Sequence, residues 1–325
     1  MAAASIILGL LILCFTVVDV LFTVLVLGGG AGWQTSLIAN KIWNIALRLH
    51  KPSSKRSHSL LRLGGPLIIL AALFVWVIEL CVAWALIFIP SAFKSVVDVT
   101  FIDRFLFAGR SIIGRSGNSP SLAVENGGWE VVNWAAGVSG VVLVSVGLAY
   151  VLPVLGAVAH KRSIAVTLNT LGRSPKNMQE LLGRSRDGQF GLHLLAAVSS
   201  LSLSAERHRS YPVLHYFHSK DAHASLAPAV AKVALLLELD EGGERKIDPA
   251  VIIPLRRAIC DLLEALGRMG LSDFASKTSA VGSKLEPLLV DPLASDANDR
   301  GPQVGWLKAY VAFDGWDWKE ATGLR

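Results

Sequence analysis

The chain is short of charge and nearly free of cysteine. Asp, Glu, Lys and Arg make up 17% of its 325 residues, and they are almost absent from three long apolar runs. Its 3 cysteines fall at Cys14 and Cys81, inside two of those runs, and at Cys260. With no CxxC pair and no even set outside the runs, they exclude a disulfide scaffold and a cysteine zinc site. The signatures GxSxG, GxxxxGK[ST] and HExxH are missing, as is a GxGxxG after a strand. No enzyme is expected, and no cofactor. No alternation is long enough for a sheet, so the chain should be all-α. Acid is absent from residues 28–65 and again from 159–179.

What is present is apolar: 52% hydrophobic residues with a positive mean hydropathy, which is the composition of an integral membrane protein. Three segments qualify as spans. Ile6 to Leu27 makes a helix of about 33 Å, enough for a hydrocarbon core of about 30 Å. Pro66 to Phe93 holds one ionisable residue, Glu79, and Val131 to Val158 holds none. The missing basic residues before Ile6 and the length of the first run favour a retained helix over a cleaved signal.

Orientation follows from charge. Lys41, Arg48, Lys51, Lys55, Arg56 and Arg62 stand between the first two spans with no acid, which places that stretch in the cytoplasm and the N-terminus outside. Lys161, Arg162, Arg173 and Lys176 put the C-terminal half inside as well. The stretch 94–130 balances its cations with acids and falls outside. An inner-membrane location is expected. The basic balance is accounted for by anionic lipid headgroups, so membrane lipid is the expected partner and nucleic acid is not.

Four regions result: an N-terminal spanning helix (1–30), a basic amphipathic segment (31–65), a two-span module (66–160) and a cytoplasmic helical domain (161–325). In the second, Leu37, Ile38, Ile42, Ile45, Ala46 and Leu49 recur at helical spacing, with Trp33 and Trp43 as interface anchors. That helix either lies on the inner leaflet or packs on the protein as an elbow. In the last, helices are expected near Met178 to Ser204, Ala222 to Leu239 and Pro249 to Met269. His208, His215, His218 and His223 cluster around Pro212. His215 and His218 are one turn apart, but no cysteine accompanies them and Pro212 breaks the approach from His208. Packing histidines are expected, and no metal.

Between the second and third spans, Thr100 with Asp103 forms a variant capping box that opens a short helix from Phe101 to about Arg110. The segment turns through Gly114, Gly117 and Pro120 and returns by Gly127-Gly128-Trp129. A short helix and a glycine turn between two spans make a re-entrant loop, which requires protein or water around its backbone. Asp19 and Glu79 are intramembrane ionisable groups and so functional candidates. Interhelical hydrogen bonding is the expectation for Asp19, and for Glu79 a cavity and a neighbouring helix are both open. The Gly-Arg-Ser triplet recurs at 109, 114, 172 and 183, the last two marking helix ends.

The order of Asp19-Val-Leu-Phe-Thr23 with GGGAGW, LAYVLPVLGAVAHKRSIA, HRSYPVLHYFHS and DGWDW resembles a bacterial branch of the two-transmembrane P-loop potassium channel family, with an extra N-terminal helix. That resemblance implies a homotetramer, with the chain itself as partner, and a filter before Pro120. Aligned without gaps, the filter-like residues are Ile112, Ile113, Gly114, Arg115, Ser116, Gly117 and Asn118. They lack the threonine, the tyrosine and one of the two glycines that aim carbonyls at a potassium ion. Four arginines about 8 Å from an axis would each repel a cation by about 2 kcal/mol at an effective dielectric near 20. Arg115 therefore either pairs with Asp103, Glu125 or Glu130, or forms a positive ring. The expected function is a potassium or cation channel relative; the alternative is a non-conducting membrane scaffold or sensor acting through its cytoplasmic helices.

Overall fold

A computed structural model describes residues 2–26, 31–50, 55–91, 99–115, 127–185, 189–241, 247–277 and 304–323. The described residues are helical, with no strand among them. Three helices are long and apolar enough to span a bilayer: Ala2–Val24, His58–Ile87 and Gly128–Thr170. The chain is an all-α membrane protein.

The fold divides into two compact units. The first comprises Met1–Val26, Ala31–Ile38 and Ile69–Pro153. It takes α1 (Ala2–Val24), the start of α2 (Trp33–Leu49), most of α4 (Gly64–Ile87), α5 (Phe101–Ile112) and α6 (Gly127–Thr170) as far as Pro153. One apolar cluster joins these helices through Val20, Trp76, Trp84, Phe88, Phe107 and Leu143. Their remaining faces carry exposed Leu, Val, Ile and Phe, the surface a helix shows to lipid rather than to water.

The second unit holds Ala39–Ile68 and Val154–Arg325, including α3 (Lys55–Leu61), the end of α6, and α7 (Pro175–Arg184), α8 (Gln189–Ser210), α9 (Leu226–Glu241), α10 (Pro249–Leu266), α11 (Ser272–Lys277), α12 (Val304–Phe313) and α13 (Trp318–Thr322). Two sequence expectations change here. The helix foreseen from Met178 to Ser204 is two, because α7 ends at a cap on Ser185. Trp43 is not an interface anchor: it is 1% exposed, meets the rings of His215 and Tyr216, and donates from Nε1 to the Phe313 carbonyl at 3.3 Å. Trp33 is 71% exposed. Pro153 lies inside α6, which runs on past Val158 to Thr170.

α9 is buried nearly all round by Ala, Val and Leu, with α7, α10, α12 and α13 packed on it and α8 packed on α10. The polar centre is Lys161 of α6. A 3-10 turn, Pro212–Tyr216, ends the run from α8 and turns carbonyls inward. Lys161 Nζ donates to the carbonyls of Leu214 (3.4 Å), His215 (3.3 Å) and Phe217 (3.2 Å), and Asp314 Oδ1 lies 3.9 Å away. Asp314 Oδ2 accepts from Ser225 Oγ at 2.6 Å, and that oxygen accepts from Trp316 Nε1 at 3.0 Å. Removing either member of a buried ion pair strands the other, at a cost of about 3–5 kcal/mol.

Histidines pack against this centre. The His215 ring stacks on Phe313 at 3.9 Å, His58 stacks on Trp316 at 4.1 Å, and His58 Nδ1 and His218 Nε2 share a hydrogen bond of 3.0 Å. His208 Nδ1 donates to the Ser204 carbonyl at 2.7 Å. Burial, reinforced by the charge of Lys161, pushes His208 down to about 3. Burial, then His58 and Lys161, pushes His218 to about 3, and His215 is held low by burial and Lys161.

A neutral folded histidine has a pH signature. Above the ordinary value of about 6.5 both states are neutral and stability is full; below it the unfolded chain takes up protons that the fold refuses. Asp314, raised by burial against the pull of Lys161, acts in the opposite sense above its ordinary range and blunts the effect. His208 and His218 together should remove about 3 kcal/mol between pH 7.5 and 5.5. Thermal unfolding in detergent should show a midpoint falling over that interval, less steeply for His208→Gln; a midpoint independent of pH would contradict neutral burial.

Candidate functional site

The first unit holds two polar constructions inside an apolar bundle. One positions α5. Thr100 caps it: its Oγ1 accepts from the Asp103 N–H at 3.3 Å, and its own N–H donates to Asp103 Oδ2 at 2.9 Å. That hydrogen bonding keeps the Asp103 carboxyl below its ordinary range. Arg104 then fastens the start of α5 to the end of α4, donating from Nε to Phe88 O (3.3 Å), from Nη2 to Ile89 O (3.2 Å) and from Nη1 to Val99 O (2.5 Å). Phe107 meets Phe88 edge to face at 5.1 Å.

The far end of α5 is fixed against α6. Ser111 Oγ lies 2.5 Å from Asn133 Oδ1 and 2.9 Å from the Phe107 carbonyl. The Ile112 carbonyl faces Gly140 so closely that a Cβ there would sit 2.1 Å from its oxygen. Only glycine permits that approach. Gly140 lies thirteen residues beyond Gly127, about 20 Å along the axis of α6.

Of the filter-like residues, Ile112 is buried, whereas Ile113, Gly114 and Arg115 are exposed. Gly114 takes φ 73° just past the helix. Arg115 closes its N–H on the Arg110 carbonyl at 2.7 Å. Ser116, Gly117 and Asn118 lie outside the described residues, as does Glu125. Among the described residues Arg115 forms no ion pair with Asp103 or Glu130.

The other construction joins Asp19 and Glu79. Asp19 is 4% exposed. Its Oδ2 accepts from Thr35 Oγ1 at 2.7 Å and Trp76 Nε1 at 3.0 Å, and its Oδ1 from the Gln34 N–H at 2.9 Å. Gly32 passes so close that a Cβ would lie 2.3 Å from Oδ1, and its N–H donates to Thr23 Oγ1 at 2.9 Å. Glu79 Oε2 accepts from Thr16 Oγ1 at 2.9 Å, and the Gln34 amide donates to Oε1. Gln34 thus bridges the two carboxylates and ties α1, α2 and α4 with bonds made within the apolar unit.

Gln34, Thr35, Trp76, Arg104 and Asn133 escaped sequence reading. Only Gln34 and Thr35 had a signal: they follow the glycine run that marks the turn after the first span. No group of three or more histidines, cysteines or carboxylates suited to a metal occurs among the described residues.

No known protein family model matches the sequence, and no solved structure matches it. The chain is 28% identical over 232 residues to an uncharacterized membrane protein, YdjJ, of Bacillus subtilis (strain 168). The match covers 70% of this chain and 66% of that protein.

Gly140→Ala should push α5 off α6, since a backbone carbonyl has little room to yield, at about 1–3 kcal/mol. The unfolding midpoint in detergent should fall. Gly128→Ala, where nothing lies within 4 Å, should leave it unchanged or slightly raised. Equal midpoints for the two variants would contradict the close approach.

Proposed function

We propose that the chain is a channel-type membrane protein, not an enzyme, in which α5 is a re-entrant pore-type helix completed by further copies of the chain around an axis. The observation that carries this reading is where α5 begins and ends along α4 and α6. It begins beside the last residues of α4, held by Arg104, and its C-terminal carbonyl meets α6 about 20 Å from the start of that helix. Its own length of about 18 Å cannot cross a core of about 30 Å. Backbone that ends at such a depth is tolerated only within protein or beside water.

The free face of α5 supports the same reading. Leu106 and Ile113, toward the inner end of α5, are 48% and 67% exposed, an apolar strip a neighbouring copy would cover. A homotetramer in a bacterial inner membrane fits, with the N-terminus outside and residues 161–325 in the cytoplasm, as the basic stretches around the spans favour.

Arg115 favours a second reading. An exposed guanidinium at the end of α5 without Asp103 or Glu130 as partner is the positive ring that would oppose a cation, about 8 kcal/mol for four copies. A non-conducting scaffold or sensor would keep that arrangement.

Ion flux into liposomes, with potassium, sodium and chloride gradients, separates them. The channel reading predicts little cation flux for the unaltered chain and at least about a tenfold rise for Arg115→Gly. Anion flux in the unaltered chain that disappears in the variant would make the ring an anion filter. No flux from either protein, both folded and assembled alike, would overturn conduction and leave the scaffold.

A further inference from the structure

The second unit contains a cavity of about 290 Å³ whose lining is strongly basic. Arg62, Lys161, Arg162 and Lys220 face it, with Asp221 as the one carboxylate among the described residues of the lining. These cations are not equivalent. The three protons of Lys161 are matched by three carbonyls and its charge by Asp314, so it supplies field and no free donor. The Ser225 hydroxyl is likewise spent on Asp314. Arg62, Arg162 and Lys220 are exposed and pair with no acid among the described residues. Ser219 adds a hydroxyl beside them.

Four cations around one hollow repel one another, and Asp221 with the Asp314 beside Lys161 leaves two of them unbalanced. An anion entering the hollow relieves that repulsion and meets two guanidinium forks, the geometry suited to phosphoryl oxygens. The buried Lys161 cannot swing away to weaken the field. Pro66, Val158 and Phe217 complete the wall with apolar surface, and Pro66 and Val158 belong to apolar helices long enough to span.

We propose that this cavity is a binding site for a phosphate-bearing anion, with Arg62, Arg162 and Lys220 as its donors and Lys161 as a fixed charge behind them. Two sources carry that chemistry, a free phosphate and a phospholipid headgroup. The assignment does not depend on whether the first unit conducts.

The full chain in detergent, followed by thermal unfolding at constant ionic strength, tests it with two probes: inorganic phosphate and short-chain phosphatidylglycerol, with short-chain phosphatidylcholine and chloride as references. At least one probe should raise the midpoint beyond its reference. Arg62→Gln and Arg162→Gln should each weaken the apparent affinity by about tenfold or more, and the triple variant with Lys220→Gln should abolish the shift. These side chains are exposed and pair with no acid among the described residues, so the unliganded midpoint should stay within about 0.5 kcal/mol of the unaltered chain. A shift from phosphate alone assigns a free anion, and one from phosphatidylglycerol assigns a lipid headgroup. No shift with either probe, or a shift that survives in the triple variant, overturns the site.

Discussion

The ammonium group of Lys161 has almost no access to water, and much of the second unit is arranged to answer it. A buried cation costs several kcal/mol unless its protons and its charge are both met. Three carbonyls meet the protons, and they are available because the backbone after α8 leaves the α-helix for a 3-10 turn. Asp314 meets the charge, at the end of α12. Its second oxygen is held by Ser225, and Ser225 by Trp316. Residues scattered from 161 to 316 are thereby fixed in one place, and burial beside Lys161 holds His208, His215 and His218 neutral.

The same rule governs the first unit by different means. There the surroundings are apolar helices, and each polar group must find its partner in the protein. Asp19 has three donors, Glu79 two, and Gln34 serves both. Arg104 spends its guanidinium on the Phe88 and Ile89 carbonyls at the end of α4, the first of which also accepts from Ser91. These bonds are directional where the apolar contacts are not, so they set how α5 enters the bundle, and glycine at 140 sets how far.

Much of this was legible in the sequence, for reasons that differ by residue. Spans are read from length and hydropathy, which need no partner. The cap at Thr100 is a local pattern, and the short helix it starts ends within two residues of its expected end. The motifs from Asp19 to the glycine turn, HKRS, HRSYPVLHYFHS and DGWDW stood out as strings, but a string does not say that the last three would meet around one lysine. Tertiary pairing decided that. Trp43 misled because an amphipathic helix looks alike whether its apolar face meets lipid or protein. Arg104 and Asn133 gave no signal at all, since their partners are backbone carbonyls and a serine brought near only by folding.

The proposal on which the functional reading turns is that the chain enters the membrane with α5 and reaches α6 on the side from which it came. Single cysteines at Ile102 and at Glu130, in a cysteine-free background, report this directly with a membrane-impermeant thiol reagent applied to sealed vesicles of known orientation. Both positions are exposed. The account predicts that both react from the same side, the outer one, and that Arg115→Cys reacts more slowly than either. Reaction of Ile102→Cys and Glu130→Cys from opposite sides would contradict it, because the segment between them would then cross the bilayer.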